Sequence, residues 1–547
     1  MTPFPLVLAV AGTGPAATSF LCQLARQVED RASRAGIAEV QLFEPPGNGG
    51  PVGAGSDLPC ARLADLSAVH GDPGHALRWA LGQADGGRLD ARSSVPTVDS
   101  CLSQAQAERY LQHAHREALD RLRTAGIAVR RIAAPVHALR RTGRAHELRT
   151  ASGETHRADL VALSLEGAGA GAFDHLRSMA GYVTASQAGS AAGGLPSPHA
   201  AVCILGSGAA ALRAALALHA AGHRGRLTLV SRHGRLPQVR GDHARPGGPT
   251  RFTRAHIERC LSQRHGSFRL DDFARLLIRE LSRCGASPGD FDDGAVPPST
   301  AEAFGHFAAS IDAARSRPSA WQGLADDLEG SLDLVWHQLP PAQRHIFDRD
   351  FKPQWRLHGE TVPLAEALAF LELVQAGRIH LLPGRAEVAF DPGTRGYAVQ
   401  VAAGRRATLL GADLVVDATA PSDDATRCRS ALVRGMLATG MARAHAFGGI
   451  EVDFASGQIV TRDGTVSQGV HVLGDLVGGT YFCTRPMAVK ARLAAQAVHS
   501  VLGQACDAQA RRLEAAPPAP PLRPRHVATR PLRSSRPVAA CAALGPA

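Results

Sequence analysis

At 547 residues the chain is long enough to bury more than one hydrophobic core. Its 45% hydrophobic and 20% charged residues are those of a soluble globular protein, and no apolar run approaches the roughly 18 residues of a membrane span. The net charge of +11 does not mark a nucleic-acid binder: from Asp507 onward seven arginines face two acids in a Pro-rich tail without interleaved aromatics.

The N-terminus lacks a basic segment leading into an apolar core and a cleavage site, which predicts a cytoplasmic protein. The ten cysteines form no C-x-x-C pair, so neither a zinc site nor a disulfide framework is expected and no metal is assigned. Cys203, inside an apolar run, reads as a buried small hydrophobe. With only Lys352 and Lys490 as lysines, Schiff-base chemistry has few candidates.

The chain opens on Leu6-Val-Leu-Ala-Val-Ala11, six apolar residues that read as a buried parallel strand. Gly12-x-Gly14-x-x-Ala17 then turns the chain into a helix. The first glycine permits the tight turn, the second lets a pyrophosphate approach the backbone, and Ala17 allows close helix–strand packing. A second strand, Val40 to Glu44, ends in an acid of the kind that bonds a ribose hydroxyl. This spacing predicts an adenine dinucleotide site built from Gly12, Gly14, Ala17 and Glu44.

The glycine-rich stretch Pro45 to Gly55 reads as a loop facing that ligand. Asp72-Pro73 fits a helix start with proline in the first turn, and residues 104 to 125 carry helical spacing. Strands near Val129 and Leu148 precede Ala158 to Gly167, which closes a first lobe.

Beyond Pro196 the opening pattern returns. Ala201-Val-Cys-Ile-Leu runs into Gly206-Ser-Gly208-Ala-Ala-Ala211, and Leu227 to Ser231 is the next strand. Here Ser231 is followed by Arg232 in place of an acid. A guanidinium can pair with a 2′-phosphate that a carboxylate would repel, so Gly206, Gly208, Ala211, Ser231 and Arg232 predict an NADPH site. From Thr253 to Gln375 the period is helical, and the stripe Trp321, Leu324, Leu328, Leu332 and Trp336 reads as core. Leu414 to Pro421 reads as the crossing back to the first lobe. Val470 to Leu473 then ends in Gly474-Asp475, whose acid can bond ligand hydroxyls beside a helix.

Two glycine turns about 190 residues apart, the late Gly474-Asp475, Asp72-Pro73 with Leu77-Arg78-Trp79, and Val230-Ser-Arg-His-Gly-Arg-Leu-Pro237 carry a resemblance, as do Leu334 to Pro340 and Trp355 to Pro363. On these residues the chain resembles a bacterial FAD/NAD(P)-binding oxidoreductase family related to flavin-dependent N-hydroxylating monooxygenases, among them nitrosuccinate-forming aspartate N-monooxygenases. The resemblance implies an α/β protein with two Rossmann-like dinucleotide-binding lobes, a discontinuous FAD lobe, an inserted NADPH lobe and a helical insertion. The expected bounds are 1–190 and 411–505 for the FAD lobe, 198–410 for the NADPH lobe with the insertion at about 253–375, and 506–547 for a disordered tail. The implied cofactors are FAD and NADPH, with O₂ and a small-molecule substrate, no nucleic acid and no membrane.

The implied reaction is N-hydroxylation of a small amino acid such as aspartate through a C4a-hydroperoxyflavin. Arg356, His358 and Arg485 are the candidates for the substrate carboxylate, and Gly474 and Asp475 join the FAD site. Two other readings stand beside this one: a reductase passing electrons to another acceptor, and a degenerate flavoprotein without catalysis. The flavin loop departs from the family pattern at Pro51-Val-Gly-Ala54 and Ala64-Asp-Leu66, and Leu165-Glu-Gly167 stands where the family has Ala-Thr-Gly.

Overall fold

The structure is a computed structural model. It describes the chain except for residues 1–4, 32–35, 45–58, 86–95, 99, 166–168, 242–251, 264–267, 286–295, 298, 317–319, 360 and 515–547. The loop at 45–55, Glu166-Gly167 and the tail beyond Glu514 therefore lie outside the described residues.

In chain order, β1 (Leu6–Ala11) leads into α1 (Pro15–Arg31) and β2 (Ile37–Phe43). Next come β3 (Pro59–Arg62), α2 (His75–Asp85), β4 (Cys101–Ser103), α3 (Gln104–Thr124) and β5 (Ala128–Ile132). A meander of β6 (Val136–Thr142), β7 (Ala145–Thr150) and β8 (Thr155–Ala158) runs into β9 (Leu160–Ser164). The second unit begins with β10 (Tyr182–Thr184), α4 (Ala188–Ala191), β11 (Val202–Leu205), α5 (Ala209–Ala220), β12 (Leu227–Ser231) and β13 (Val239–Arg240). Helices α6 (Arg254–Gln263), α7 (Leu270–Arg283), α8 (Thr300–Ser316), α9 (Ala320–Gln338), α10 (Pro341–Ile346) and α11 (Lys352–Gly359) follow. Then come β14 (Val362–Pro363), α12 (Leu364–Gln375), β15 (Ile379–Pro383), a second meander β16 (Arg385–Asp391), β17 (Gly396–Ala403) and β18 (Arg406–Ala412), and β19 (Leu414–Asp417). The chain returns through α13 (Ala431–Thr439), β20 (Gln458–Val460), β21 (Val466–Leu473), α14 (Gly478–Tyr481) and α15 (Met487–Glu514).

Two sheets organise this succession. The first has the order β20-β21-β9-β1-β2-β5, and the second β10-β19-β11-β12-β15. In both, the strand that feeds the glycine turn lies between its two parallel partners: β1 between β2 and β9, β11 between β12 and β19. Both units also place a three-stranded antiparallel meander just before the strand that returns beside the glycine-turn strand, β9 beside β1 and β19 beside β11. The apolar runs in β1 and β11 follow from this position, since strands covered on both faces leave no side for polar residues. Leu6, Leu8, Ala9 and Val10 in the first sheet, and Val202 to Leu205 in the second, are buried.

The late strand β21 pairs in parallel with β9, so the first sheet is assembled from chain segments some 300 residues apart, with Val470 opposite Val161. Among the described residues, no helix is long and apolar enough to cross a membrane.

Four expectations shift. Leu414–Asp417 is part of the second sheet, paired with β11, so the crossing to the first sheet begins only after Asp417. Tyr182–Thr184, expected within the first lobe, is the edge of that same second sheet, and the Tyr182 hydroxyl donates to Asp417 Oδ2 at 2.7 Å. Residues 506–514, expected as part of the tail, belong to α15, which runs on to Glu514. Just before 506 the helix is held by packing: Ala505 is fully buried and Gln504 Oε1 accepts from the Gly469 N–H at 3.0 Å. Asp72-Pro73 likewise falls ahead of its helix, which starts at His75, and Asp72 instead pairs with Arg78 at 2.5 Å.

The helical insertion docks on the return segment. Of the expected stripe, Leu324, Leu328, Leu332 and Trp336 are core and close around Phe482, while the Trp321 side chain lies outside the described residues. Trp336 Nε1 donates to the Gly479 carbonyl at 2.7 Å. Asp333, with 1% of its side chain exposed, pairs with Arg492 at 2.9 Å and with Arg254 at 2.9 Å. A second ion-pair node joins all three parts of the molecule. Asp326 on α9 binds Arg240 of β13 through both oxygens at 3.0 Å, and Arg62 of β3 at 3.1 Å.

Candidate functional site: two dinucleotide crevices

The first crevice lies where β1, β2, β9 and β21 end. Gly12 has φ +114°, and a Cβ there would stand 2.0 Å from the Ser164 carbonyl oxygen of β9, so only glycine fits the turn. The Gly14 carbonyl accepts the Thr18 N–H at 3.0 Å, and Pro15 opens α1, whose first-turn N–H groups have no partner within the helix. Ala17 is fully buried against the sheet, as close packing requires.

Glu44 follows β2, its N–H held by the Ile132 carbonyl of β5 at 2.9 Å. Its side chain is turned inward and 7% exposed. Oε2 accepts two bonds from Arg131, at 2.5 and 2.9 Å, while Oε1 faces His115 Nε2 at 3.6 Å and has no hydrogen-bond partner. Burial alone would raise this carboxyl group, but His115 and Arg131 outweigh it and hold the pKa below the ordinary carboxylate value. Arg131 and His115 were not legible as members of the site, since neither belongs to a local motif.

Gly474 has φ +84°, and Asp475 opens a short 3₁₀ turn with its side chain half exposed and 3.5 Å from Lys490 Nζ. The Ser164 hydroxyl, at the end of β9, is buried without a partner. An adenine dinucleotide fits this set of residues. A helix N-terminus faces the turn for the pyrophosphate, and the unpartnered Glu44 and Ser164 oxygens can bond hydroxyls.

The second crevice repeats the geometry. Gly206 has φ +117°, and its Cβ would meet the Ala418 carbonyl oxygen at 2.9 Å. Gly208 caps α5 in an extended conformation, and Ala211 is fully buried. Ser207 bonds Ser231 across the crevice at 2.7 Å. Arg232 is exposed and, among the described residues, makes no ion pair, which leaves its guanidinium available to a phosphate.

Between the insertion and the return segment lies a third group of residues. Phe482 adopts φ +64°, a backbone conformation a bulky residue rarely takes, and it sits directly before Cys483 in the segment that follows Asp475. Cys483 is pushed up to about 12, first by burial and then by Glu329, while Arg485 and Arg356 pull the other way. Arg356, Arg485 and Glu329 therefore act on one thiol, although they come from α11, the loop before α15, and α9. Arg356 is half exposed and pairs with Asp423 at 2.5 Å, whereas the His358 side chain lies outside the described residues. Burial, with Asp326 nearby, pushes the Glu329 carboxyl up to about 8. Nothing in its local sequence separates Glu329 from the solvated acids of a helix.

Two doubly wound sheets, each with a glycine turn at its switch point and the first completed by a late Gly-Asp strand, define a two-dinucleotide fold of the flavoprotein type. Residues 9–167 match the family described as FAD-NAD(P)-binding. No curated protein matches the chain in sequence. Among solved structures, the reduced form of ornithine hydroxylase from Pseudomonas aeruginosa superposes with a TM-score of 0.56 at 12% identity, covering 91% of this chain and 99% of that one. L-lysine 6-monooxygenase from Pseudomonas syringae gives a TM-score of 0.53 at 16% identity, with 91% and 99% covered. The Kutzneria sp. 744 ornithine N-hydroxylase with reduced FAD, NADP⁺ and L-ornithine gives a TM-score of 0.52 at 15% identity, with 92% and 100% covered. At these identities the likeness establishes the fold.

Proposed function

We propose that the protein is an FAD- and NADPH-dependent monooxygenase that hydroxylates the amine nitrogen of a small amino acid, with aspartate as the specific candidate. The observation that carries the reading is the extent of the likeness. The first sheet, the inserted second sheet and the helical insertion together superpose on N-hydroxylases over about nine-tenths of the chain. FAD, when bound, supplies electron transfer from the nicotinamide and the activation of O₂.

The chain's own residues do the rest. The turn at Gly12 and Gly14 receives the pyrophosphate, Glu44 receives the ribose, and Asp475 bonds hydroxyls at the other end of the crevice. The aromatic wall of Trp336, Phe347, Phe351 and Phe482 keeps water from the segment beside Cys483. Arg232 reads the 2′-phosphate of NADPH. Arg232→Ala should weaken NADPH binding about tenfold, the loss of one exposed charge-assisted contact, and leave NADH within about twofold. An equal loss for both nucleotides in steady-state KM values would remove Arg232 from that role.

Arg356 and Arg485 offer forked donors to a carboxylate. Glu329, which acts on the same Cys483 thiol as the two arginines, holds its proton below about pH 8 and then adds no negative charge there. Arg356→Ala should raise the KM for the amino acid about tenfold while NADPH oxidation without substrate persists. A pH dependence follows from Glu329. As pH rises through about 8 the group ionises, repels the substrate carboxylate, and KM climbs. Glu329→Gln should abolish that climb, and an unchanged pH profile in the variant would show that Glu329 does not face the substrate. If NADPH is consumed without oxygenated product, the reductase reading takes the place of this one.

A further inference from the structure

We infer that Arg235 is a second reader of the nucleotide 2′-phosphate in the second crevice, the half-buried arm of a clamp whose exposed arm is Arg232. The inference rests on the proposed use of NADPH and names a residue that the strand-end pattern at Ser231-Arg232 does not reach.

A chain of hydrogen bonds fixes the loop after β12 onto the glycine turn. Ser207, the residue between Gly206 and Gly208, bonds both the Ser231 hydroxyl and the Arg235 carbonyl. Ser231 Oγ in turn accepts the Gly234 N–H at 3.1 Å. The far side of the loop is closed as well. Gly234 has φ +61°, its Cβ would meet Pro383 Cβ at 3.1 Å, and the Gly384 N–H bonds the Ser231 carbonyl at 2.9 Å. Residues 231–235 are thus wedged between the glycine turn and the end of β15, and the backbone of Arg235 is set beside the turn.

The side chain is the second observation. Arg235 is half-buried, its Nε is buried without a hydrogen-bond partner, and among the described residues it makes no ion pair. Other half-buried guanidinium groups have partners for their donors: Arg213 pairs with Glu366, Arg240 and Arg62 with Asp326, and Arg344 and Arg378 donate to backbone carbonyls. Holding a guanidinium partly out of water without an anion is costly, and a phosphate dianion matches its forked donors. Burial also lowers the Arg235 pKa, as it would for a cation lacking a protein counter-charge. Because Arg235 is screened less than the exposed Arg232, its contact with the phosphate is the stronger of the two.

The test uses the full-length protein with FAD and two probes that need no turnover, 2′,5′-ADP and 5′-AMP, titrated by calorimetry. Arg235→Ala should weaken 2′,5′-ADP about 10- to 100-fold, more than Arg232→Ala does, with 5′-AMP changed less than about threefold. Arg235→Lys, which retains the charge without the fork, should recover part of the loss. Flavin content and melting temperature at the wild-type level show that the variants are folded, and Arg235→Lys carries the comparison if the alanine variant is not. Equal weakening of both probes, or no weakening of 2′,5′-ADP, overturns the role of Arg235. If Arg232→Ala alone discriminates the probes, NADPH use stands and only this inference falls. Wild-type protein that binds 5′-AMP as tightly as 2′,5′-ADP overturns both.

Discussion

Gly14→Val gives folded protein that purifies without yellow colour. The turn from β1 into α1 is fixed by Gly12, and Gly14 supplies the carbonyl on which α1 begins. A branched side chain at Gly14 stands between the helix N-terminus and the phosphates, so the loss falls on the ligand and not on the sheet. The expected loss of affinity is at least a hundredfold, roughly 2.7 kcal/mol, enough to strip FAD during purification. Absorbance near 450 nm with a far-ultraviolet circular dichroism spectrum of the same preparation checks it. Normal flavin content in that variant would take the pyrophosphate away from this turn. Gly12→Ala is the contrasting case: its Cβ would collide with the Ser164 backbone at 2.0 Å, so that variant should lose the sheet as well as the flavin.

Asp333→Ala destabilises the enzyme more than any surface change. Asp333 is the shared carboxylate of Arg254 and Arg492, with 1% of its side chain exposed and Arg492 at 14%. Removing it leaves the Arg492 guanidinium unpaired where α9 packs on α15, at a cost of about 3–5 kcal/mol. The first unfolding transition should fall by roughly 10 °C. Asp333→Asn retains the hydrogen-bond acceptor but not the charge, and should fall between the two. A melting temperature within about 1 °C of wild type for Asp333→Ala would show that the ion pair does not hold the insertion in place.

What the sequence revealed about the fold was local chemistry with one physical solution. An apolar run that ends in Gly-x-Gly leaves little choice, because a strand buried on both faces must turn abruptly at a residue without a Cβ, and Gly12 and Gly206 both do so. The stripe along α9 was legible for the same reason: helical spacing of large apolar residues requires a covered face. Sheet membership of short strands was not. Tyr182–Thr184 and Leu414–Asp417 join the second sheet through a register between residues more than 200 positions apart, and no local pattern encodes that pairing.

The site divides along the same line. Glycines and strand-end residues could be named in advance, whereas Arg131, His115, Arg235 and Glu329 acquire meaning only when distant elements meet. Arg62 and Asp326, 264 residues apart, are the extreme case. Arg235 lies only three residues beyond Arg232, yet what sets it beside the crevice is a hydrogen bond from Ser207, across 28 residues of chain. The far end of α15 was not legible because its Ala- and Arg-rich composition resembles that of the tail, while the residues that hold the helix against the first lobe, Gln504 and Ala505, lie just before it.

Oxygen insertion at a substrate amine is tested most directly by turnover under ¹⁸O₂ with FAD, NADPH and a panel of amino acids that includes aspartate. One small anionic amino acid should stimulate NADPH and O₂ consumption together, and its product should carry one ¹⁸O atom on nitrogen. NADPH oxidation that no amino acid stimulates, or a product without ¹⁸O, would contradict it.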